Sequence, residues 1–155
     1  MNADAQVPDS PPAARGEAPV VLVSDRQSVA VDERELARLG RDVLVAEGRA
    51  SGELSVSFVG EPEMAELHAR YLGEDGATDV LAFEQDAEDG IIGDVVLCPA
   101  YAAREAAVHD NDLGAELRLL LVHGVLHLLG YGHDAEEDRA RMWARQEFYS
   151  GVRVP

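Results

Sequence analysis

Three of the chain's five histidines fall between positions 123 and 133, in the stretch His123-Gly124-Val125-Leu126-His127-Leu128-Leu129-Gly130-Tyr131-Gly132-His133. His123 and His127 are four residues apart. On a helix that spacing puts both imidazoles on one face, about one turn apart, so both can reach one cation. Gly130 would break the helix and Gly132 would keep the turn flexible, so that His133 can swing back as a third ligand. Three neutral imidazoles make a good zinc shell and leave a fourth position open for water, the arrangement expected of a catalytic rather than a structural site. Imidazole also suits nickel, copper and iron, so the ligand types alone leave the ion open. A lone helical histidine in an apolar face is usually a satisfied core residue, and a pair at this spacing can be coincidence. The third histidine after a glycine turn tips the balance toward a metal site.

The same intervals occur in the H-E-x-x-H-x-x-G-x-x-H motif of metzincin proteases, whose glutamate is the general base. Here that position is Gly124. The spacing therefore argues for the metal cage and against that peptidase mechanism, which needs a group to take the proton from water.

The elements that must position these residues are readable in outline. Val20-Val21-Leu22-Val23 is β-branched and predicts a strand, residues 54–59 alternate with period two, and residues 78–83 and 91–97 read as strands joined across an acidic turn. Asp32 with Glu35 looks like a helix-capping pair, and Leu36, Leu39, Val43 and Leu44 share one face of the helix that follows, with Arg34, Arg38 and Arg41 on another. Pro62 and Pro99 suit the first turns of two more helices. Residues 112–129 carry the strongest helical signal, with Gly130 as its stop, and Asp134 with Glu137 suggests a capping pair for a last helix. The order β-α-β-α-β-β-α-α-α predicts an α+β fold: a small mixed sheet with packed helices, and the His-rich metal site on a central helix and the turn after it.

Composition sets limits. The chain has 155 residues, 30 acidic and 13 basic, for a net charge of −17, and all the basic residues are arginine. Without lysine, Schiff-base chemistry and a P-loop are excluded. So acidic a chain is not a polybasic nucleic-acid or membrane-surface binder. The single Cys98 excludes an internal disulfide framework. Residues 1–19 hold four of the seven prolines and few large apolar residues, which predicts a disordered leader before a single domain over 20–150. No signal peptide or membrane-spanning run is apparent, so a cytoplasmic location is the expectation.

His123-Gly-x-Leu-His127-Leu-x-Gly130-Tyr131-x-His133 resembles the H-G-x-L-H-L-x-G-Y-D-H signature of the YbeY family of bacterial metal-dependent endoribonucleases. Thr78-Asp79-Val80-Leu81-Ala82-Phe83 is similar to its T-D-V-L-S-F strand, and Gly93-Asp94-Val95-Val96-Leu97-Cys98 to its G-D-I-V segment. The resemblance spans roughly residues 20–149. It implies an α+β domain with the metal in a cleft beside the sheet, one zinc ion on His123, His127 and His133, and hydrolysis of single-stranded RNA. It also implies roles in 16S ribosomal RNA 3′-end maturation and ribosome quality control. Its partners would be ribosomal RNA and the ribosome or ribosomal proteins, with no membrane and no DNA. Two positions depart from the pattern. Many members have arginine straight after the tyrosine of L-N-x-x-Y-R, and here Leu72 follows Tyr71, with Arg70 the nearest arginine. Gly132 stands where the family has aspartate.

Metal-assisted phosphodiester hydrolysis is thus the working expectation, with the ion lowering the pKa of water and polarising a phosphoryl oxygen. Arg70, Arg104 and Arg118 are candidates to hold the phosphate, and His68 and His109 for acid–base work, although such residues are more often solvated surface groups. The rival readings are a zinc-dependent peptidase or amidohydrolase using another base, such as Asp94 or a residue in the acidic turn, and a non-catalytic ribosome assembly factor with a structural zinc.

Overall fold

The computed structural model describes residues 18–84, 90–132 and 135–153 of the chain. Its elements follow the predicted order: β1 (Val20–Arg26), α1 (Glu33–Ala46), β2 (Glu53–Val59), α2 (Glu61–Leu72), β3 (Val80–Glu84), β4 (Ile91–Leu97), α3 (Pro99–Val108), α4 (Leu113–Leu128) and α5 (Glu136–Ser150). The strands form one mixed sheet in the order β1-β2-β4-β3. β1, β2 and β4 run parallel, and β3 pairs antiparallel with β4 as an edge strand. The expected α+β fold with a small mixed sheet is what the chain adopts.

Strand alternation divides the core in two. Leu54, Val56 and Phe58 of β2 and Ile92, Val95 and Leu97 of β4 are buried against α1, α4 and α5. Val59, Leu81, Val96 and Cys98 face the other way, onto Met64 and Leu67 of α2 and Tyr101 of α3. α4 is the central helix, touching α1, α3, α5, β3 and β4. Leu121, Val122, Val125 and Leu126 are fully buried in it. Each such side chain contributes about 1.5–3 kcal/mol of transfer free energy, so α4 is anchored from several sides.

Local chemistry explains the helix ends. Asp32 caps α1 by accepting a 3.1 Å hydrogen bond from the Glu35 amide, as its spacing predicts. Asp112 does the same for α4, accepting at 2.7 Å from the Ala115 amide. α5 differs from expectation. Its N-cap is Ala135, which cannot cap through its side chain, and Asp134 lies outside the described residues.

Two strands differ in extent from their sequence signal. β1 continues through Ser24, Asp25 and Arg26, because an edge strand needs only backbone pairing, here with Ser57, Phe58 and Val59. β3 begins at Val80 rather than Thr78, although the Asp79 carbonyl still accepts from the Cys98 amide at the end of β4. The expected leader falls mostly outside the described residues, as does most of the acidic turn between β3 and β4; Pro19, just before β1, is buried. Among the described residues, no helix is long and apolar enough to cross a membrane.

Candidate metal centre

His123 and His127 lie on α4, the first half-buried and the second exposed. Their spacing puts them on a common face. The neighbouring face is pressed onto the sheet. A Cβ on Gly124 would lie 2.9 Å from Cγ1 of Val95 and 3.6 Å from Cγ2 of Val80. Leu128, four residues on, reaches Gly93 of β4, where a Cβ would meet its Cδ2 at 2.9 Å and the Phe83 carbonyl oxygen at 2.6 Å. Gly93 also has φ of 153°, outside the range side chains readily adopt. It follows a bulge in β4, where the register with β2 skips one residue. The two glycines thus let α4 settle directly on β3 and β4. The position that carries glutamate in metzincins has no room for a side chain here.

The α4 face bearing the histidines meets α5. Nδ1 of His123 is 2.9 Å from Oε1 of Gln146, a side chain only 4% exposed. An imidazole that donates from Nδ1 carries its lone pair on Nε2, the form a cation needs. His127 follows one turn later, so the donor chemistry on this face fits a divalent ion that accepts imidazole. His133 lies outside the described residues. Among the described residues, no three His, Cys, Asp or Glu side chains are gathered as a cation site.

The turn after α4 is tightly built. The Tyr131 amide donates to the Leu126 carbonyl and the Gly130 amide to that of His127, each at 3.1 Å, with φ of Gly130 at 99°. This is a Schellman ending, which only a left-handed residue completes without strain. Tyr131 then reaches α1, donating a 2.6 Å hydrogen bond to Oε1 of Glu47. Tyr149 of α5 donates to Oε2 of the same carboxylate, and Arg145 approaches that oxygen at 3.1 Å. Burial works against the ionised Glu47, but hydrogen bonds from Tyr131 and Tyr149 and the charge of Arg145 outweigh it and hold the carboxyl below its ordinary range. Burial, then the bond to Glu47, pushes the Tyr131 hydroxyl up to about 12, and Tyr149 is raised for the same reasons.

The other candidates are dispersed. Arg70 sits in the last turn of α2, exposed, 3.1 Å from Glu66. α2 packs on the sheet face opposite α4, and there Tyr71 meets Phe83 of edge strand β3 in a tilted contact, ring centroids 4.9 Å apart. Arg104 pairs with Glu61 at 2.6 Å, and Arg118 donates to the Ser150 carbonyl at 3.2 Å. Nδ1 of His68 is 2.9 Å from the Gly76 carbonyl, and Nδ1 of His109 is 3.3 Å from the buried Glu116. By alternation Asp94 shares the sheet face of Val96, the face on which α2 packs. Gln146 and Glu47 are absent from the sequence-based candidates. Gln146 shares a spacing of four with Met142 and Ser150 on the buried face of α5, and a polar residue in that stripe was the available signal.

A sequence-family model described as Endoribonuclease YbeY matches residues 22–151. The chain is 42% identical over 143 residues to the Endoribonuclease YbeY of Thermobifida fusca, covering 84% of this chain and 92% of that one. It is 45% identical over 130 residues to that of Frankia alni, covering 75% and 72%. With that of Mycobacterium leprae it shares 40% identity over 139 residues, covering 81% and 78%. The chain belongs to the YbeY family. Membership makes it a hydrolytic endoribonuclease. The solution structure of TM1509 from Thermotoga maritima superposes with a TM-score of 0.61 at 27% identity, over 84% of this chain and 86% of that one. The three sequence blocks that resemble the YbeY pattern meet in one place, with β3, β4 and α4 touching through Phe83, Gly93, Val95, Gly124 and Leu128.

Proposed function

We propose that the chain is a zinc-dependent endoribonuclease specific for single strands, acting in 16S ribosomal RNA 3′-end maturation and ribosome quality control. In this reading His123, His127 and His133 hold the ion, and Arg70 grips the scissile phosphate. The domain is a single unit over 20–150 behind a leader over 1–19, and it works in the cytoplasm. The observation that carries the proposal is the contact of His123 with buried Gln146 on the α4 face shared with His127, in a chain of an endoribonuclease family.

A bound divalent ion supplies a Lewis acid for a phosphoryl oxygen and makes water a stronger acid. The chain's own residues supply the rest. Gln146 orients the His123 ring, and the Schellman turn with the Tyr131–Glu47 bond fixes where the segment leading to His133 begins. Arg70, as a fixed cation, offsets charge on the phosphate. The tilted Tyr71–Phe83 contact supports its role, because it ties the end of α2 to the strand on which α4 rests. With a net charge of −17, the chain is expected to bind free RNA weakly and to depend on the ribosome for docking.

The test is cleavage of a single-stranded RNA by the purified chain, with chelator and with zinc restored, alongside His127→Ala. Loss on chelation, recovery with zinc and loss in the variant are expected. Undiminished cleavage by folded His127→Ala would sink the metal mechanism.

A further inference from the structure

We infer that Gln146 is a positioning residue that selects the protonation form of His123, holding its proton on Nδ1 so that Nε2 faces the cation. The inference rests on the metal reading above and adds a residue from a different helix to it. Three observations converge. Oε1 of Gln146 lies 2.9 Å from Nδ1 of His123, an ordinary hydrogen-bond length. Gln146 is 4% exposed, so water does not compete effectively for its amide. It shares the inward stripe of α5 with Met142, which is 1% exposed, so its backbone is anchored in the core.

The chemistry follows from the geometry. A neutral imidazole has one N–H and one lone pair, and the partner of one nitrogen decides the state of the other. An amide oxygen at Nδ1 accepts the proton's hydrogen bond and stabilises the tautomer with a bare Nε2. The same amide turned over would present its NH2 and stabilise the opposite tautomer, which could not bind a cation through Nε2. A carboxylate would serve as a stronger acceptor. At so buried a position it would also be a charge in the interior whenever the cation was absent. Glutamine provides the acceptor without that charge. Groups that orient a ligating histidine typically change metal affinity by roughly 10- to 100-fold when removed.

The test uses the full-length chain and two variants, Gln146→Met, nearly isosteric but without the acceptor, and Gln146→Glu, which keeps it. Long-range nitrogen–proton spectra of the His123 ring, before and after zinc loading, report which nitrogen bears the proton. Competition with a chromophoric chelator reports zinc affinity. The wild type is expected to show the proton on Nδ1. Gln146→Met is expected to lose that preference and to bind zinc roughly 10- to 100-fold more weakly. Gln146→Glu is expected to restore both. A proton on Nε2 in the wild type would overturn the inference, as would wild-type zinc affinity in a folded Gln146→Met. Should that variant fail to fold, the wild-type and Gln146→Glu spectra still decide: a proton off Nδ1 in either overturns the inference. If His123→Ala binds zinc as well as the wild type, the metal reading itself fails, and the inference with it.

Discussion

Tyr131 and Glu47, 84 residues apart in the chain, are joined by a 2.6 Å hydrogen bond from the tyrosine hydroxyl to the carboxylate. The bond ties the turn after the histidine-bearing helix to the end of α1. Because Tyr149 and Arg145 converge on the same carboxylate, Glu47 links α1, that turn and α5. Glu47→Ala removes the shared acceptor and leaves its donors without it. Hydrogen bonds to a charged group contribute about 1.5–3 kcal/mol, so a loss in that range is expected in denaturant unfolding. Tyr131→Phe, which spares the other two contacts, should cost about 1.5 kcal/mol, the lower end of that range. A double-mutant cycle between the positions should be clearly non-additive. Additivity would mean that the bond contributes little.

The same cluster imposes a pH dependence at both ends of the scale. The Glu47 carboxyl is held below its ordinary value, so the folded chain favours its ionised form. That stabilisation is complete above the unfolded carboxylate range and is lost as pH falls through the folded value. Tyr131 is shifted the other way, from 10.0 to about 12. Its contribution is complete below pH 10 and drains away as pH rises toward 12. Glu47→Gln should therefore lie furthest below the wild type in stability near neutral pH, and the gap should narrow in acid. Equal gaps at pH 7 and in acid, measured by urea titration, would contradict this account.

Gly124 and Gly93 should resist substitution unequally. A Cβ at Gly124 meets Val95 methyls at 2.9 and 3.2 Å, and overpacking of this kind costs about 1–3 kcal/mol. Val95→Ala should recover part of that loss, because it removes the obstructing methyls. At Gly93 the obstacle is the Phe83 carbonyl oxygen at 2.6 Å, which belongs to the sheet backbone and cannot step aside. Its φ of 153° adds strain for any side chain. Gly93→Ala is therefore expected to cost more than Gly124→Ala, with no rescue from trimming Leu128. Unfolding midpoints of the four variants check the order.

The parts of this fold that could be read from the chain are those written in local chemistry. Alternation in β2, the Asp32 and Glu35 spacing, and the glycine after Leu129 each act within a few residues, and each is found where its pattern placed it. The polar end of β1 could not be read, since Ser24, Asp25 and Arg26 are held in the strand by the backbone of β2 and not by their side chains. The histidine pair was visible because a helix repeats every few residues. Its support was not, because Gln146 and Glu47 act across 23 and 84 residues of sequence and carry no local signal of their partners. The motif glycines were visible as letters. Their reason, the close approach of α4 to β3 and β4, exists only in the folded chain.

Arg70 offers a last distinction between a surface charge and a working one. Its pairing with Glu66 is an exposed helical contact, both side chains more than half accessible at 57% and 65%. Such pairs contribute about 0.3–0.5 kcal/mol, so Arg70→Ala should leave stability almost unchanged. A grip on the scissile phosphate is a charge-assisted contact worth about 1.5–3 kcal/mol, and its loss should lower kcat/KM by roughly 10- to 100-fold. Leu72, where many YbeY members have arginine, is 56% exposed at the end of the same helix. An arginine there displaces no core packing. Arg70→Ala combined with Leu72→Arg should then regain much of the lost RNA cleavage while keeping the stability of the parent. If Arg70→Ala cleaves like the wild type, the phosphate contact belongs to another residue. If only the double variant exceeds the wild type, position 72 is the productive one, and this chain works with its arginine two residues out of place.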